Sequence, residues 1–249
     1  MAKLLNFLKF QGSIENLTFI TTKNGTFVRR KTSLNRDELM NSPKFEASRK
    51  TMTEFKNFTQ STKLLKQGIK TAIDKIRDSG AHNRLMSIMN SIKETDDIHP
   101  RKWKTVATGI SQEESKELLK NFEFNAYAPL HTILLKEYIL DAEEGILKIN
   151  ALIAQKELKA TKDATKAGLR LYWSKVDFES FENHTESSEE VMIPLNKTPI
   201  DVNLKVATPP AGTGTNVFTL ALVFYQEVNA KLYLVNNREY KSLKIIGVE

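Results

Sequence analysis

Apolar and polar residues alternate near the amino terminus in a pattern that predicts a β-hairpin. Leu17 and Phe19 lie two residues apart, and Phe27 follows across a turn signal at Asn24-Gly25. The Asn-Gly pair is favoured in two-residue hairpin turns because both residues tolerate positive φ. We therefore predict an N-terminal hairpin arm over residues 1–34, with Leu17, Phe19 and Phe27 on one apolar face.

Residues 35–121 follow a helical period instead. Ser42-Pro43 and a capping box formed by Ser111 and Glu114 indicate helix starts. Between them, apolar residues recur every three to four positions, which places them along one face of each helix. These residues are Leu64, Leu65, Ile69, Ile73 and Ile76, and then Leu85, Ile88, Met89 and Ile92. Because each apolar stripe needs a partner, the pattern predicts a small helical bundle.

After residue 121 the pattern changes to the two-residue alternation that is typical of strands. Short alternating runs separated by Gly, Pro and acidic turns predict an antiparallel β-sandwich over residues 122–249. The predicted strands are residues 131–135, 137–141, 145–151, 169–178, 191–195, 200–206, 217–228, 231–235 and 240–248. The predicted fold class is therefore α+β, with an N-terminal β-hairpin and a small helical bundle followed by an antiparallel β-sandwich.

Composition limits the classes of protein and site that remain. The chain of 249 residues is long enough to bury a core without covalent crosslinks. It contains no cysteine, which excludes disulfides, thiolate metal sites and cysteine nucleophiles. No run approaches the roughly 18 apolar residues of a membrane span, and the start, MAKLLNFLKF, lacks a signal-peptide pattern. We expect a location in the cytoplasm or in an assembled particle.

The net charge of +7 is unevenly spread. Residues 1–128 carry 23 Lys/Arg against 14 Asp/Glu, whereas residues 129–249 carry 14 against 16. Such asymmetry is typical of proteins that contact nucleic acid or another anionic surface. The interspersed acidic residues equally favour lysines that simply solvate helix faces.

Two basic clusters are candidate contacts for an anion or a nucleic acid. The first is Arg29-Arg30-Lys31 at the end of the predicted hairpin, and the second consists of Arg101, Lys102, Trp103 and Lys104. Cations beside an aromatic ring are typical of surfaces that bind single-stranded nucleic acid. On an edge strand the same cations prevent unwanted strand pairing, so both interpretations stay open for the first cluster.

No motif for catalysis emerges from the sequence. Gly212 and Gly214 lie in a loop that lacks the lysine of a phosphate-binding loop. The four histidines are too far apart in sequence for an H-x-x-x-H metal motif, and there is no G-x-S-x-G element. The adjacent acidic pairs Glu143-Glu144 and Glu189-Glu190 are interpreted as solvated turn charges. We therefore predict no enzyme activity, no catalytic or metal-ligating residue, no cofactor and no small-molecule substrate.

Several segments together resemble a family of uncharacterised Bacteroidota proteins that is classed as a domain of unknown function. They are GSIENLTF (12–19), VRRK (28–31), SPKFEASR (42–49), TEFKNF (53–58) and ALVFYQEVN (221–229). Where that family has a glycine-rich turn after the second strand, this chain has TSLN (32–35). The resemblance implies a helical region followed by strands, and a bacterial or bacteriophage-related setting. It brings no activity and no functional residue.

The hairpin arm leads to a prediction of function. A two-stranded hairpin is marginally stable in water on its own, so it has to dock on another surface. We predict a non-enzymatic structural or interaction protein that assembles into a homo-oligomer, filament or particle through this arm and through sheet edges. The predicted self-association residues are Ile14, Leu17, Phe19 and Phe27. The alternatives are a nucleic-acid-binding protein that uses the basic half and, second, a carbohydrate-binding or enzymatic β-sandwich.

Overall fold

The protein forms two compact units, Met1–Thr51 and Met52–Glu249, which we call unit 1 and unit 2. The structure is a computed structural model and describes residues 2–4, 12–22, 25–31, 35–76 and 78–249, with only the backbone of residues 2–4. Helices and antiparallel sheets both occur, which confirms the predicted α+β class. The predicted boundaries at residues 34 and 121 stay predictions.

Unit 1 contains a small antiparallel sheet followed by helices. Its strands are β1 (Ala2–Leu4), β2 (Gly12–Ile14), β3 (Leu17–Thr22) and β4 (Gly25–Arg30), and their order in the sheet is β1-β4-β3-β2. Helix α1 (Arg36–Asn41) and a 3₁₀ turn (Pro43–Phe45) follow, and residues 46–51 begin helix α2 (Glu46–Gly68). The Asn35 side chain accepts a hydrogen bond from the Asp37 N–H and caps α1.

The N-terminal sheet is larger than the predicted hairpin. A tight turn at Glu15-Asn16 divides the first predicted strand into β2 and β3, and Glu15 adopts a positive φ of 48° there. Thr22 pairs with Gly25, so the loop between β3 and β4 consists of residues 23 and 24. Gly25 therefore lies in β4, while Asn24, the other half of the predicted turn, is outside the described residues.

Unit 2 begins with helices whose apolar stripes agree with the predicted ones. Beyond α2 these helices are α3 (Lys70–Ile76), α4 (Ala81–Glu94), α5 (Val106–Gly109) and α6 (Glu113–Lys120). Leu85, Met89 and Ile92 of α4 are fully buried, as their spacing requires. Ser111 is not the cap of α6, because Gln112 occupies that position.

The rest of unit 2 consists of two antiparallel sheets. Its elements are α7 (Leu130–Ile133), β5 (Ile139–Asp141), β6 (Ile146–Ile153), α8 (Ala154–Glu157), β7 (Lys166–Asp177), β8 (Glu182–Ser187), β9 (Val191–Pro194), β10 (Pro199–Lys205), β11 (Thr215–Val228), β12 (Lys231–Leu234), a 3₁₀ turn (Arg238–Tyr240) and β13 (Ser242–Val248). The larger sheet has the order β12-β11-β7-β8, with β13 beside β11 and β9 beside β7. The smaller sheet has the order β10-β6-β5.

Unit 2 is built in three layers, with the larger sheet in the middle. Successive side chains of β7 point to opposite faces. Leu171 and Trp173 pack in the core between the two sheets, whereas Tyr172 and Val176 pack in the core that includes the helices. The helices thus bury their stripes against the outer face of the larger sheet. This arrangement explains why the middle of β11 is apolar at nearly every position rather than at every second one.

Three local elements differ from the predictions. Residues 131–135 do not form a strand: α7 makes one helical turn there, in which Leu134 N–H bonds to Leu130 O. Strand β8 has the polar sequence ENHTES and shows no apolar alternation, because it lies at the margin of the larger sheet. Helix α5 has no counterpart among the predicted apolar stripes, because its four residues are too few for a periodic signal.

Candidate self-association surface

Strand pairing decides which apolar residues of the N-terminal sheet share a face. Partners opposite each other in an antiparallel pair lie on the same face. Ile14 pairs with Leu17, and Phe19 pairs with Val28, so these four residues lie on one face of the sheet, which we call the front face.

Phe27 does not belong to this front face. The prediction that it shares a face with Leu17 and Phe19 is therefore wrong. Phe27 pairs with Ile20, and both are offset by one residue from the pair Phe19 and Val28. Because side chains alternate along a strand, an offset of one residue moves a side chain to the opposite side of the sheet. Of the four predicted self-association residues, the structure therefore brings together Ile14, Leu17 and Phe19.

Both faces of the N-terminal sheet leave apolar area accessible to water. Ile14 is 56% exposed and Leu17 is 44% exposed on the front face. On the other face, Ile20 and Phe27 are only partly buried. Among the residues of unit 1 that the structure describes, Thr26 alone is buried. A sheet with apolar side chains and no buried core of its own is stabilised when a partner surface buries these side chains.

The sheet also has margins that lack a partner strand in the described part of the chain. β1 pairs with residues 26–28 of β4, so the outer side of Arg29 and Arg30 is not covered by β1. β2 pairs with residues 17–19 of β3, so residues 20–22 have no partner in β2. Unpaired backbone N–H and C=O groups at such margins are a template for another strand.

The first basic cluster lies at the end of β4. Arg29 and Arg30 are adjacent in the strand and therefore point to opposite faces, with Arg30 on the front face opposite Leu17. Both arginines and Lys31 are exposed, and none of them forms an ion pair with a described residue. The three cations consequently surround the end of the strand rather than converge on one phosphate.

The second basic cluster lies in the loop between α4 and α5. Trp103 is 54% exposed and Arg101 is exposed, so the ring lies at the surface. Lys104 is not available in the same way: its Nζ bonds to Glu94 O and lies 3.7 Å from the Glu94 carboxylate. The partial neutralisation by Glu94 reduces the positive potential that a nucleic acid would meet.

Asp96 fixes the shape of this loop. Its buried carboxylate accepts hydrogen bonds from the N–H groups of Ile98, His99 and Thr105 and from His99 Nδ1. Burial acts to raise the pKa of Asp96, but the hydrogen bonds from Thr105 and His99 outweigh it and lower the pKa below its usual value. Asp96 and His99 are three residues apart in the sequence, but this spacing by itself does not identify a functional site.

A groove of about 410 Å³ adjoins this loop. His99, Asn57, Ser61, Phe178 and Phe181 are among the residues that line it. A Ser-His-Asp mechanism requires a hydroxyl within hydrogen-bond distance of the histidine ring. In the described residues His99 bonds only to Asp96, and the Ser61 hydroxyl donates to Asn57 O. The groove therefore does not contain an assembled triad.

An ionic cluster around Glu190 joins α3 to the larger sheet. The Tyr225 hydroxyl donates to Glu190 Oε1 at 2.6 Å, and the side chains of Lys75 and Arg170 lie 3.5 and 3.4 Å from Glu190 Oε2. Burial, and then the bond to Glu190, raise the pKa of the Tyr225 hydroxyl. The interpretation of Glu190 as a solvated turn charge is therefore wrong, since three elements bring its partners together.

Glu123 is a carboxyl group that no sequence motif singled out. Its Oε1 accepts the Leu130 N–H and lies 3.7 Å from Lys244 Nζ, while its buried Oε2 has no hydrogen-bond partner. Burial raises the pKa of Glu123 from 4.5 to about 7, and the contacts with Leu130 and Lys244 oppose this rise only in part. This carboxyl group titrates near neutral pH.

Changing Glu123 to Gln is expected to flatten the pH dependence of stability. Between pH 4.5 and about 7 the folded chain keeps the Glu123 proton that the unfolded chain releases, so stability falls as pH rises through this window. Above the window, Glu123→Gln should raise the free energy of unfolding by about 1–2 kcal/mol. Urea titrations across this range measure the effect. Glu143→Gln, in an exposed turn, is the control, and an unchanged slope in Glu123→Gln contradicts the prediction.

The described residues contain no group of three or more His, Cys, Asp or Glu side chains placed to hold a metal ion. No helix in the described part of the chain combines the length and apolar character needed to cross a bilayer. No protein-family model, no curated protein and no solved structure matches this chain.

Proposed function

We propose that this protein is a non-enzymatic structural protein that assembles with copies of itself through its N-terminal sheet. The observation that carries the proposal is that this sheet exposes apolar side chains on both faces, with Thr26 as the single buried residue among those described in unit 1. A sheet of this kind gains stability when a neighbouring molecule covers it, through burial of apolar area and through main-chain hydrogen bonds at its margins.

The composition of unit 2 also supports the proposal. Among the described residues, both of its hydrophobic cores consist of residues from Phe58 onward. The exposed Ile14 and Leu17 belong to neither core, which supports docking on another molecule as the purpose of the N-terminal strands.

Deleting residues 1–31 is expected to reduce the assembled mass while leaving unit 2 folded. The full-length chain should show a mass that rises with concentration in light scattering and sedimentation velocity. The deletion variant should stay at the mass of one chain and keep its circular dichroism spectrum and cooperative unfolding, because both cores remain. A deletion variant that unfolds, or a full-length chain that is monomeric at every concentration, contradicts the proposal.

Point variants in the full-length chain test the same surface without removing strands. Ile14→Ser and Leu17→Ser together replace the two most exposed apolar residues of the front face. They should lower the assembled mass as the deletion does. Met40→Ser is the matched control, because Met40 is 49% exposed and lies in α1, outside the sheet.

Nucleic-acid binding remains the alternative function. It requires affinity that falls steeply with salt, since cations that neutralise phosphates release bound counterions. Retention of the purified protein on a nucleic-acid column at low salt, lost in an Arg101→Gln variant with unchanged assembly, would favour this alternative. The front-face variants would not affect such retention.

A further inference from the structure

One segment of unit 2 combines exposed apolar residues with carboxylates in strict alternation. It consists of Leu135, Glu137, Ile139 and Asp141, which we call the β5 stripe. All four side chains are exposed, and Leu135 and Ile139 are 62% and 61% exposed. The residues between them are only partly exposed. This alternation is that of an extended segment with one face toward the core and the other toward water.

Ile139 and Asp141 lie in β5 at the margin of the smaller sheet, and Leu135 and Glu137 lie in the segment that precedes this strand. β5 pairs with β6 on one side through Leu140 and Leu147, and Leu140 packs against the core between the two sheets. On its other side β5 has no partner strand among the residues that the structure describes. Exposed sheet margins usually carry lysine or proline, which discourage pairing. At the β5 margin, large apolar side chains take their place.

The charge of the stripe narrows the choice of partner. Glu137 and Asp141 form no ion pair with a described residue, although Asp141 accepts the Glu144 N–H. Two further exposed carboxylates, Glu143 and Glu144, follow in the next turn. Two cations lie across the sheet: Lys148 pairs with Ile139, and Lys205 pairs with Ile146, the partner of Asp141. A partner for this margin therefore needs apolar side chains accompanied by positive charge.

Unit 1 has this character. Its residues 1–51 contain ten Lys/Arg against four Asp/Glu, a net charge of +6 out of +7 for the whole chain. On its front face, the exposed Ile14 and Leu17 lie beside Arg30, and Leu17 is directly opposite Arg30. The apolar residues can cover Leu135 and Ile139 while Arg30, the arginine on the front face, meets the carboxylates of the stripe. Apolar contacts at the centre with ion pairs at the rim are the usual anatomy of a protein interface.

We propose that the β5 stripe of one molecule receives the front face of the N-terminal sheet of a second copy. This inference rests on the proposed function and names the surface that the N-terminal sheet occupies. Because two different surfaces meet, the contact is head to tail, and a pair of molecules keeps one free surface of each kind. Repetition of such a contact gives rings or open filaments rather than closed dimers.

Charge reversal on either surface is expected to block assembly. The first variant carries Glu137→Lys and Asp141→Lys, and the second carries Arg30→Glu. In each, like charges face each other across the contact and weaken it. We expect the concentration at half assembly to rise by about tenfold or more for each variant. Sedimentation velocity measures the shift, and circular dichroism verifies the fold.

Mixing the two charge-reversed proteins provides the decisive measurement. Each variant supplies the surface that complements the other, so the mixture should assemble although neither protein does so alone. The matched control is Glu182→Lys with Glu186→Lys on β8, which changes charge equally at another sheet margin and should leave assembly intact. Failure of the mixture to assemble overturns the proposal, and so does a β8 variant that blocks assembly as strongly as the β5 variant.

The outcomes separate this inference from the proposed function. If deletion of residues 1–31 abolishes assembly while the β5 variant assembles normally, the N-terminal sheet docks elsewhere and only the present inference fails. If the full-length chain never assembles, the proposed function fails with it. If the second variant assembles normally but loses nucleic-acid retention, the present inference fails and Arg30 contacts nucleic acid, whereas the proposed function is not refuted.

Discussion

Replacing Gly109 with alanine is expected to destabilise unit 2 by at least about 3 kcal/mol. Gly109 ends helix α5, where this helix approaches the end of α4. A Cβ atom at this position would lie 2.0 Å from the backbone oxygen of Ile92 and 3.0 Å from Thr95 Oγ1. Since the nearest obstacle is backbone, a side-chain rotation cannot relieve the overlap, and the helices have to separate.

The contacts around Gly109 would be lost together. Thr95 Oγ1 lies within hydrogen-bond distance of Ile92 O, Gly109 O and the fully buried Ser115 Oγ, so it joins α4, α5 and α6. Separation of the helices exposes these buried polar groups or leaves them without hydrogen-bond partners. Each unpaired buried group costs free energy. Helix propensity alone predicts the opposite sign, because alanine is favoured over glycine inside a helix by about 1 kcal/mol.

Gly80→Ala is the matched control for Gly109→Ala. A Cβ atom at Gly80 would meet the end of the flexible Arg84 side chain at 3.0 Å rather than backbone. We expect a change of about 0.5 kcal/mol or less there. Thermal and urea unfolding of both variants would measure the difference. A Gly109→Ala variant as stable as Gly80→Ala would mean that α4 and α5 do not approach as described.

Removing the Lys93 side chain is expected to lower the free energy of unfolding by an amount comparable to that of Gly109→Ala. The Lys93 side chain is 6% exposed, and its ammonium group lies 3.3 Å from Glu54 Oε2, which belongs to a side chain only 12% exposed. It also lies 2.9 Å from Glu94 and faces the Phe58 ring. Lys93→Ala leaves the Glu54 carboxylate in a nearly dry place without its partner, and such changes cost about 3–5 kcal/mol.

The double variant Lys93→Met with Glu54→Gln tests the cause of that loss. Methionine fills much of the lysine volume and glutamine that of glutamate, so no uncompensated charge remains. We expect this variant to unfold within about 1 kcal/mol of the original protein in urea. If it is as unstable as Lys93→Ala, the lost contacts of the ammonium group rather than the unpaired carboxylate explain the effect. Little change in Lys93→Ala would mean that water reaches Glu54.

Parts of the fold could be predicted because their cause is local. The apolar stripe of α4 and the long apolar run of β11 follow from periods that every window of the sequence displays. Strand β8 and the helical turn α7 escaped prediction because their conformation depends on neighbours distant in sequence. β8 is polar yet extended because β7 supplies its hydrogen bonds, and residues 130–133 form a helical turn next to Pro129.

The candidate surface was predictable in the same limited way. The alternation of Leu17 and Phe19 put both on one face, and the structure agrees. The face on which Phe27 lies depends on the pairing register of β3 and β4. The Asn24-Gly25 turn signal did not predict this register correctly. The exposure of Leu135 and Ile139 was invisible in the sequence, since an apolar residue in a predicted strand is normally assigned to the core.

The sequence by itself determined the α+β class, the main helical stripes, most strands and the concentration of positive charge near the amino terminus. These properties depend on residue type and on spacing over a few positions. Only the tertiary structure decided that Lys93 and Glu123 are buried, that Glu190 collects partners from three elements, and that β5 lies at a sheet margin. Each of these depends on which distant segments lie alongside, and local periodicity carries no information about that.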